Sequence, residues 1–295
     1  MGRFTRSRDL ARSSFKVIRK DPELFIYVIL SSIISLSILL LFLLPIIFSE
    51  IYVAFTGSLF AELASWLIYF ILYLCLFLVA TFFNFAIVYT AAKRFSGHNA
   101  KFFESLKFAF SKLHLIFLWS LVSATVGIIL KVLENAGKRS GVGAIVAQIS
   151  RFIMGMAWSI ATIFAIPVMV YKGVGPFKAI KRSVKTLKKT WGEYLIKEVG
   201  FGLILIAFLF AGLAIGIPLA MLGFMINGIV GGIIILILVA YCMIMFITFG
   251  LMNQVYNTAL YIYAETGHVP KEFNEELLKK SFLHNKKSTI KSRFT

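Results

Sequence analysis

The ionisable side chains that perform most enzyme chemistry are few in this chain and lie far apart. Among 295 residues there are 13 Asp and Glu residues and four histidines. No acid falls in the centre of a long apolar run, and no two histidines are spaced to place two metal ligands on one helix face. The sequence has no phosphate-binding loop, nucleophile elbow or zinc-protease motif. We therefore expect no enzyme activity, no metal site and no cofactor.

The basic side chains are numerous and can bind anions. There are 31 Lys and Arg residues, and the formal net charge is +18. Cations beside apolar runs attract anionic lipid head groups, and the sequence contains no zinc knuckle, RNA-binding signature or basic zipper. We expect anionic membrane lipids as partners, and no nucleic acid. The candidate head-group ligands are Lys101, Lys107, Lys178, Lys181, Arg182, Lys185, Lys188 and Lys189.

Six apolar runs separate the basic groups and predict a multi-pass membrane protein. Hydrophobic residues make up 59% of the chain and charged residues 15%, against about 45–50% and about 25% in soluble domains. The runs predict one membrane domain over residues 1–264, followed by a polar, basic cytoplasmic tail over residues 265–295. Within the tail, residues 271–282 are expected to be partly helical. The predicted spans are about 24–48, 63–90, 114–131, 152–171, 199–225 and 229–250.

The basic residues are distributed unevenly between the runs. Of the 31 Lys and Arg residues, 27 lie before the first run, between the second and third, between the fourth and fifth, or after the sixth. Basic loops remain on the cytoplasmic side of a membrane. We therefore predict a cell-membrane protein whose N and C termini are both cytoplasmic.

Three basic segments carry the apolar stripe of an amphipathic helix. In residues 176–195, apolar residues recur every three or four positions. Residues 100–113 repeat this pattern, and residues 4–20 repeat it more weakly. Each segment contains a serine, an apolar residue and a lysine in succession: Ser14-Phe15-Lys16, Ser105-Leu106-Lys107 and Ser183-Val184-Lys185. The predicted fold is an all-α integral membrane helical bundle, with six transmembrane helices as three hairpins, each preceded by a cytoplasmic basic amphipathic helix.

Four residues inside or beside the spans are candidates for an intramembrane site or a kink. The amide of Asn84 needs several partners, and we expect interhelical packing there. Arg151 precedes the fourth predicted span and is expected to reach the interface. Pro167 and Pro218 each remove a backbone hydrogen bond and can kink their helices. Transporters place binding sites at such breaks, but prolines also occur in spans without that role.

Several short motifs lie between residues 3 and 210: Arg3-Phe4, Arg19-Lys20-Asp21-Pro22-Glu23-Leu24, Ser123-Ala124-Thr125-Val126-Gly127, Gly173-Val174-Gly175-Pro176, Ala179-Ile180-Lys181-Arg182-Ser183 and Thr190-Trp191-Gly192-Glu193. Together they resemble those of a family of bacterial and archaeal multi-span membrane proteins of unknown function. The resemblance implies an integral membrane protein with no assigned reaction. Residues 175–183 are also similar to the membrane region ahead of some glycerophosphodiester phosphodiesterases, which implies a lipid-related role without hydrolase activity.

These patterns lead to two predictions of function. The first is a non-enzymatic integral membrane protein that binds or organises anionic lipid through its cytoplasmic basic amphipathic helices. The alternative is a transporter or channel with a path between the three helical hairpins. Besides lipids, a second copy of the chain in a homo-oligomer is the expected partner.

Overall fold

The computed structural model describes residues 3–136, 141–267, 269, 270 and 273, and every regular element in them is an α-helix. The predicted all-α class is confirmed. The expected helix over residues 271–282 lies outside the described residues, apart from Phe273. The helices are α1 (Arg3–Lys20), α2 (Glu23–Thr56), α3 (Leu59–Phe95), α4 (Phe102–Ser111), α5 (Leu113–Ala136), α6 (Gly141–Thr162), α7 (Ala165–Lys172), α8 (Pro176–Ile226) and α9 (Gly228–Thr266).

Six stretches of helix in the described chain are long and apolar enough to cross a membrane, which is the number predicted. Most of them extend past their apolar runs, since a helix continues through polar residues that its own backbone bonds can accommodate. For example, α2 runs to Thr56, so only Gly57 and Ser58 separate it from α3. The six stretches are Glu23–Thr56, Leu59–Phe95, Leu113–Asn135, Gly143–Lys172, Gly202–Ile226 and Gly228–Thr266.

Proline and glycine set the helix boundaries around the basic segments. Helix α1 ends at Lys20, just before Asp21 and Pro22. It ends there because the residue before a proline is disfavoured in the helical region. Gly173 ends α7 in the left-handed conformation, with φ of 60°, and Pro176 occupies the first position of α8. Glycine suits the first position because it tolerates positive φ. Proline suits the second because it lacks a backbone N–H, and the N–H of the first helical residue has no partner within the helix.

Pro167 interrupts the fourth span. A proline inside a helix clashes with the carbonyl four residues earlier, which here belongs to Ile163. Helix α6 ends at Thr162, residues 163 and 164 form a turn, and α7 begins at Ala165. Pro218 and Pro45 also lie within helices, but α8 and α2 continue through them. A kink was expected at both prolines. At Pro167 the helix is broken completely, whereas at Pro218 it continues without interruption.

The chain divides into two compact units. One comprises Ile26–Leu187, and the other comprises Met1–Phe25 with Lys188–Thr295. In the first unit α3 packs against α4, α5 and α7, and α5 packs against α6. Gly127 of α5 allows the ring of Tyr73 to approach closely, since a β-carbon there would lie 3.4 Å from it. The fully buried side chains of this unit include Phe85, Ile116, Phe164 and Met169.

In the second unit, α8 and α9 pack along a seam of glycines. Gly212 of α8 lies against the ring of Tyr241, and Gly216 lies against Leu238. The Tyr241 hydroxyl donates a hydrogen bond of 2.8 Å to the carbonyl of Phe208. As the residue number rises along α8 it falls along α9, so the two helices are antiparallel. Small residues let helix backbones approach closely in a membrane, where packing replaces the hydrophobic effect.

We predict that Gly212→Ala destabilises the protein whereas Gly232→Ala does not. A β-carbon at Gly212 would overlap the ring of Tyr241, while none of the described atoms lies within 4 Å of one at Gly232. Overpacking costs about 1–3 kcal/mol, and glycine to alanine in an open helix position gains up to about 1 kcal/mol. Thermal unfolding in detergent measures both. Equal unfolding temperatures for the two variants would contradict close packing of α8 against α9 at Gly212.

Candidate functional site

In all three serine–apolar–lysine patterns the serine is buried and the lysine is exposed. The serines Ser14, Ser105 and Ser183 are each 0% exposed. Residues two apart on a helix point roughly 200° away from each other, so the pattern directs the serine inward and the lysine outward. The lysine is exposed in every case: Lys16, Lys107 and Lys185.

Helix α4 is fastened to α3 by its small residues. Ser105 Oγ lies 2.7 Å from Thr90 Oγ1 in a buried hydrogen bond, and Ser105 and Ala109 form the buried face. Two phenylalanines of the predicted apolar stripe are exposed, Phe103 at 80% and Phe110 at 59%. Protein covers the stripe only in part, since Phe102 is half-buried and its ring stacks on that of Tyr27.

A charged contact reinforces the attachment of α4. Glu104 accepts a hydrogen bond of 2.7 Å from the Tyr89 hydroxyl and lies 2.8 Å from Lys93 Nζ. The hydrogen bond from Lys93, followed by that from Tyr89, lowers the pKa of Glu104 below its ordinary value. Both partners belong to the last turns of α3, where a cation also complements the helix dipole.

The first part of α8, residues 176–189, is fastened to the break in the fourth span. We call this part the α8 head. The backbone amide of Phe164, in the turn before α7, donates a hydrogen bond of 3.0 Å to Ser183 Oγ. Ala179, Thr186 and Leu187 complete the buried face of the head. A side chain of the head therefore satisfies a backbone group at the interrupted span.

The predicted head-group ligands lie on the outer faces of α4 and the α8 head. Seven of the eight are exposed: Lys101, Lys107, Lys178, Lys181, Arg182, Lys185 and Lys188. The side chain of Lys189 lies outside the described part of the chain. No carboxylate among the described residues lies within ion-pair distance of these seven side chains. Phe177, beside the cations of the head, is 76% exposed.

The four intramembrane candidates lie on four different helices: Asn84 on α3, Arg151 on α6, Pro167 on α7 and Pro218 on α8. Asn84 is half-buried in α3, and its amide has no hydrogen-bond partner among the described residues. Arg151 lies within α6 rather than before it, and its guanidinium is 3.0 Å from the Glu134 carboxylate of α5. The candidate span that includes Arg151 begins at Gly143.

A polar cluster lies near the start of α3, far from α4. The Tyr69 hydroxyl donates a hydrogen bond of 2.9 Å to Glu50 of α2, and the Lys131 ammonium of α5 lies over the Tyr69 ring. Tyr69 and Tyr89 are about twenty residues apart in α3, or roughly 30 Å along the helix axis. That separation matches the hydrocarbon thickness of a bilayer, about 30 Å. The two sets of polar contacts of α3 are therefore about as far apart as the two surfaces of a hydrocarbon layer.

A cavity of about 620 Å³ involves cations that were not among the predicted ligands. It lies in the unit that contains α1, α8 and α9. Arg12, Lys16 and Arg19 line one side, at positions that place them on one face of α1. This spacing is visible in the sequence, but the apolar residues opposite it come from helices distant along the chain. Among the described residues, no group of three or more His, Cys, Asp or Glu residues could hold a metal ion.

The fold and these contacts define an all-helical, multi-pass membrane protein. The chain belongs to a family of unknown function (DUF6159), whose model matches residues 63–271. The matched region begins after the end of α2. It also includes residues 211–271, which lie beyond the motifs on which the sequence resemblance rested. Among curated proteins, no match to the chain was found.

We predict that Ser183→Ala lowers the stability of the protein more than Ser111→Ala does. The first change leaves the buried amide of Phe164 without its acceptor, which costs about 1–3 kcal/mol. Ser111 is exposed and bonds only to the carbonyl of Phe108, so its loss costs little. Unfolding midpoints in detergent test the difference, and hydrogen exchange at Phe164 should rise only in the Ser183 variant. An unchanged exchange rate would exclude the contact.

We predict that the contribution of Glu104 to stability disappears in acid. Because its folded-state pKa is lowered by Lys93 and Tyr89, the ionised carboxylate stabilises the α3–α4 contact above the ordinary pKa of glutamate. That contribution is lost as the pH falls through the lowered pKa. The unfolding midpoints of the wild-type protein and Glu104→Gln should differ near neutral pH and converge in acid. A difference independent of pH would refute a charge-based role.

Proposed function

We propose that this protein is a non-enzymatic membrane protein that binds and organises anionic lipid with its basic segments, on the cytoplasmic side of the cell membrane. The observation that carries the proposal is the arrangement of α4 and the α8 head. Each is fastened by a buried serine and exposes phenylalanine next to lysine. Apolar side chains beside cations are typical of helices that lie in the interface of an anionic bilayer.

The proposal includes a threefold plan, in which a basic segment precedes a span that goes out and a span that returns. It is supported by the equivalent burial of Ser14, Ser105 and Ser183. The antiparallel packing of α8 and α9 is in keeping with it, as is the ion pair between α5 and α6. The bias of Lys and Arg toward alternate connections favours cytoplasmic termini.

Lipid binding also accounts for the unpaired charge. The exposed cations of the α8 head have no carboxylate partner among the described residues, although orientation alone needs fewer of them. Each cation near an anionic surface contributes about 1 kcal/mol. The likeness of residues 175–183 to the membrane region ahead of some glycerophosphodiester phosphodiesterases favours the same role.

A transporter or channel is the weaker proposal. Its best support is the break at Pro167, since transporters bind substrates at the exposed amides of broken helices. Here the amide of Phe164 already donates to Ser183.

We expect the variant Lys181→Gln/Lys185→Gln to lose preference for anionic lipid. The full chain would be reconstituted in phosphatidylcholine with spin-labelled phosphatidylglycerol or phosphatidylcholine, and the bound fraction of each label measured. Each neutralised cation should reduce the preference about fivefold, and raised salt should mimic the change by screening.

The control variant Lys131→Gln/Arg151→Gln removes the same charge from the contacts with Tyr69 and Glu134. It should keep the preference of the wild-type protein. A wild-type protein without preference for phosphatidylglycerol, or an equal loss in both variants, would overturn the proposal.

A further inference from the structure

The cavity among α1, α8 and α9 is formed by one face of each helix. Its lining residues recur three or four positions apart in all three helices, which places them on single faces. Its volume of about 620 Å³ falls within the ~300–1,000 Å³ of small-molecule sites in proteins. Regular helix packing, rather than a loop, therefore shapes it.

One wall of the cavity is cationic. Arg12, Lys16 and Arg19 of α1 line it, and none of the lining residues is acidic. Among the described residues no carboxylate pairs with these three side chains. Like charges at this spacing on a helix repel one another. A bound anion would remove that repulsion and supply the missing counter-charge.

The opposite walls are apolar. They include Ile204 and Phe208 of α8, and Met245, Phe249 and Met252 of α9. All five lie within the candidate membrane spans Gly202–Ile226 and Gly228–Thr266. The neutral polar side chain of the lining is Thr248, whose hydroxyl has no hydrogen-bond partner among the described residues. It can donate to an acceptor of a ligand.

A ligand that suits all the walls must join a negative group to hydrocarbon. Inorganic phosphate would engage the cations but leave the apolar walls uncovered, and a divalent cation would be repelled. An anionic phospholipid supplies a phosphate for Arg12, Lys16 and Arg19, an ester carbonyl for Thr248 and an acyl chain for the walls of α8 and α9.

We propose that this cavity holds one anionic phospholipid as a specifically bound ligand. The inference deepens the proposed function and rests on it for the class of ligand. The two kinds of lipid differ in their expected response to salt. Salt screens the exposed charges that attract lipid to the α8 head, whereas a lipid in the cavity is also held by apolar contacts, and its partly buried ion pairs are screened much less.

The test uses the full chain, delipidated in mild detergent and titrated with phosphatidylglycerol, phosphatidylcholine or inorganic phosphate, with native mass spectrometry to count bound molecules. The wild-type protein should retain one phosphatidylglycerol at high salt. Arg12→Gln/Lys16→Gln/Arg19→Gln should bind it on the order of a hundredfold more weakly, and Arg19→Gln alone about fivefold. Ala207→Trp fills the apolar side of the cavity without changing a charge, and should also abolish retention.

The outcomes separate this inference from the proposed function. If Lys181→Gln/Lys185→Gln loses its lipid preference in the bilayer but retains the bound lipid, both stand. If the α8 head variant changes nothing while the cavity variants lose the lipid, the cavity stands without the surface. Retention of phosphatidylcholine equal to that of phosphatidylglycerol, competition by inorganic phosphate, or retention by folded Ala207→Trp would each overturn the cavity proposal.

Discussion

Inside a hydrocarbon layer no water is present to hydrogen-bond a peptide group, so each amide and carbonyl needs a partner within the protein. The long helices α2, α3, α8 and α9 meet this requirement with their own backbone bonds. Where Pro167 interrupts the fourth span, the amide of Phe164 is bonded by Ser183 from another helix. The α8 head is thus held by the same requirement that makes the spans helical, and the placement of its cations follows from that bond.

Side-chain size then decides which surface each helix shows. Serine and alanine face the protein in α4 and the α8 head, and glycine does so in the seam between α8 and α9. Phenylalanines such as Phe103 and Phe177 are left outside. This arrangement is the reverse of that in a water-soluble amphipathic helix, whose large apolar side chains face the protein core.

The class of the fold and the number of spans could be predicted from the sequence, because a run long enough to cross a bilayer is a strong signal. The end of α2 and the start of α6 could not be predicted. A helix can continue through a polar residue when a neighbouring helix supplies its partner, as Glu134 of α5 does for Arg151 of α6. An apolar stripe predicts a face turned from water, but not whether protein or lipid covers it, which is why the exposure of Phe110 was unexpected. The cavity needed the structure, because periodicity identifies the face of α1 without revealing that α8 and α9 lie opposite.

The packing of α1 against α9 has a consequence for how the protein is made. A ribosome delivers α1 to the membrane before α2–α8, and α9 follows all of them. Until α9 has been inserted, the cations of α1 therefore lack the apolar wall that α9 supplies. The cations are Arg12, Lys16 and Arg19, and the wall consists of Met245, Phe249 and Met252. A nascent or truncated chain that lacks α9 would present the cationic face of α1 without this apolar wall, and insertion of α9 would place the wall opposite it.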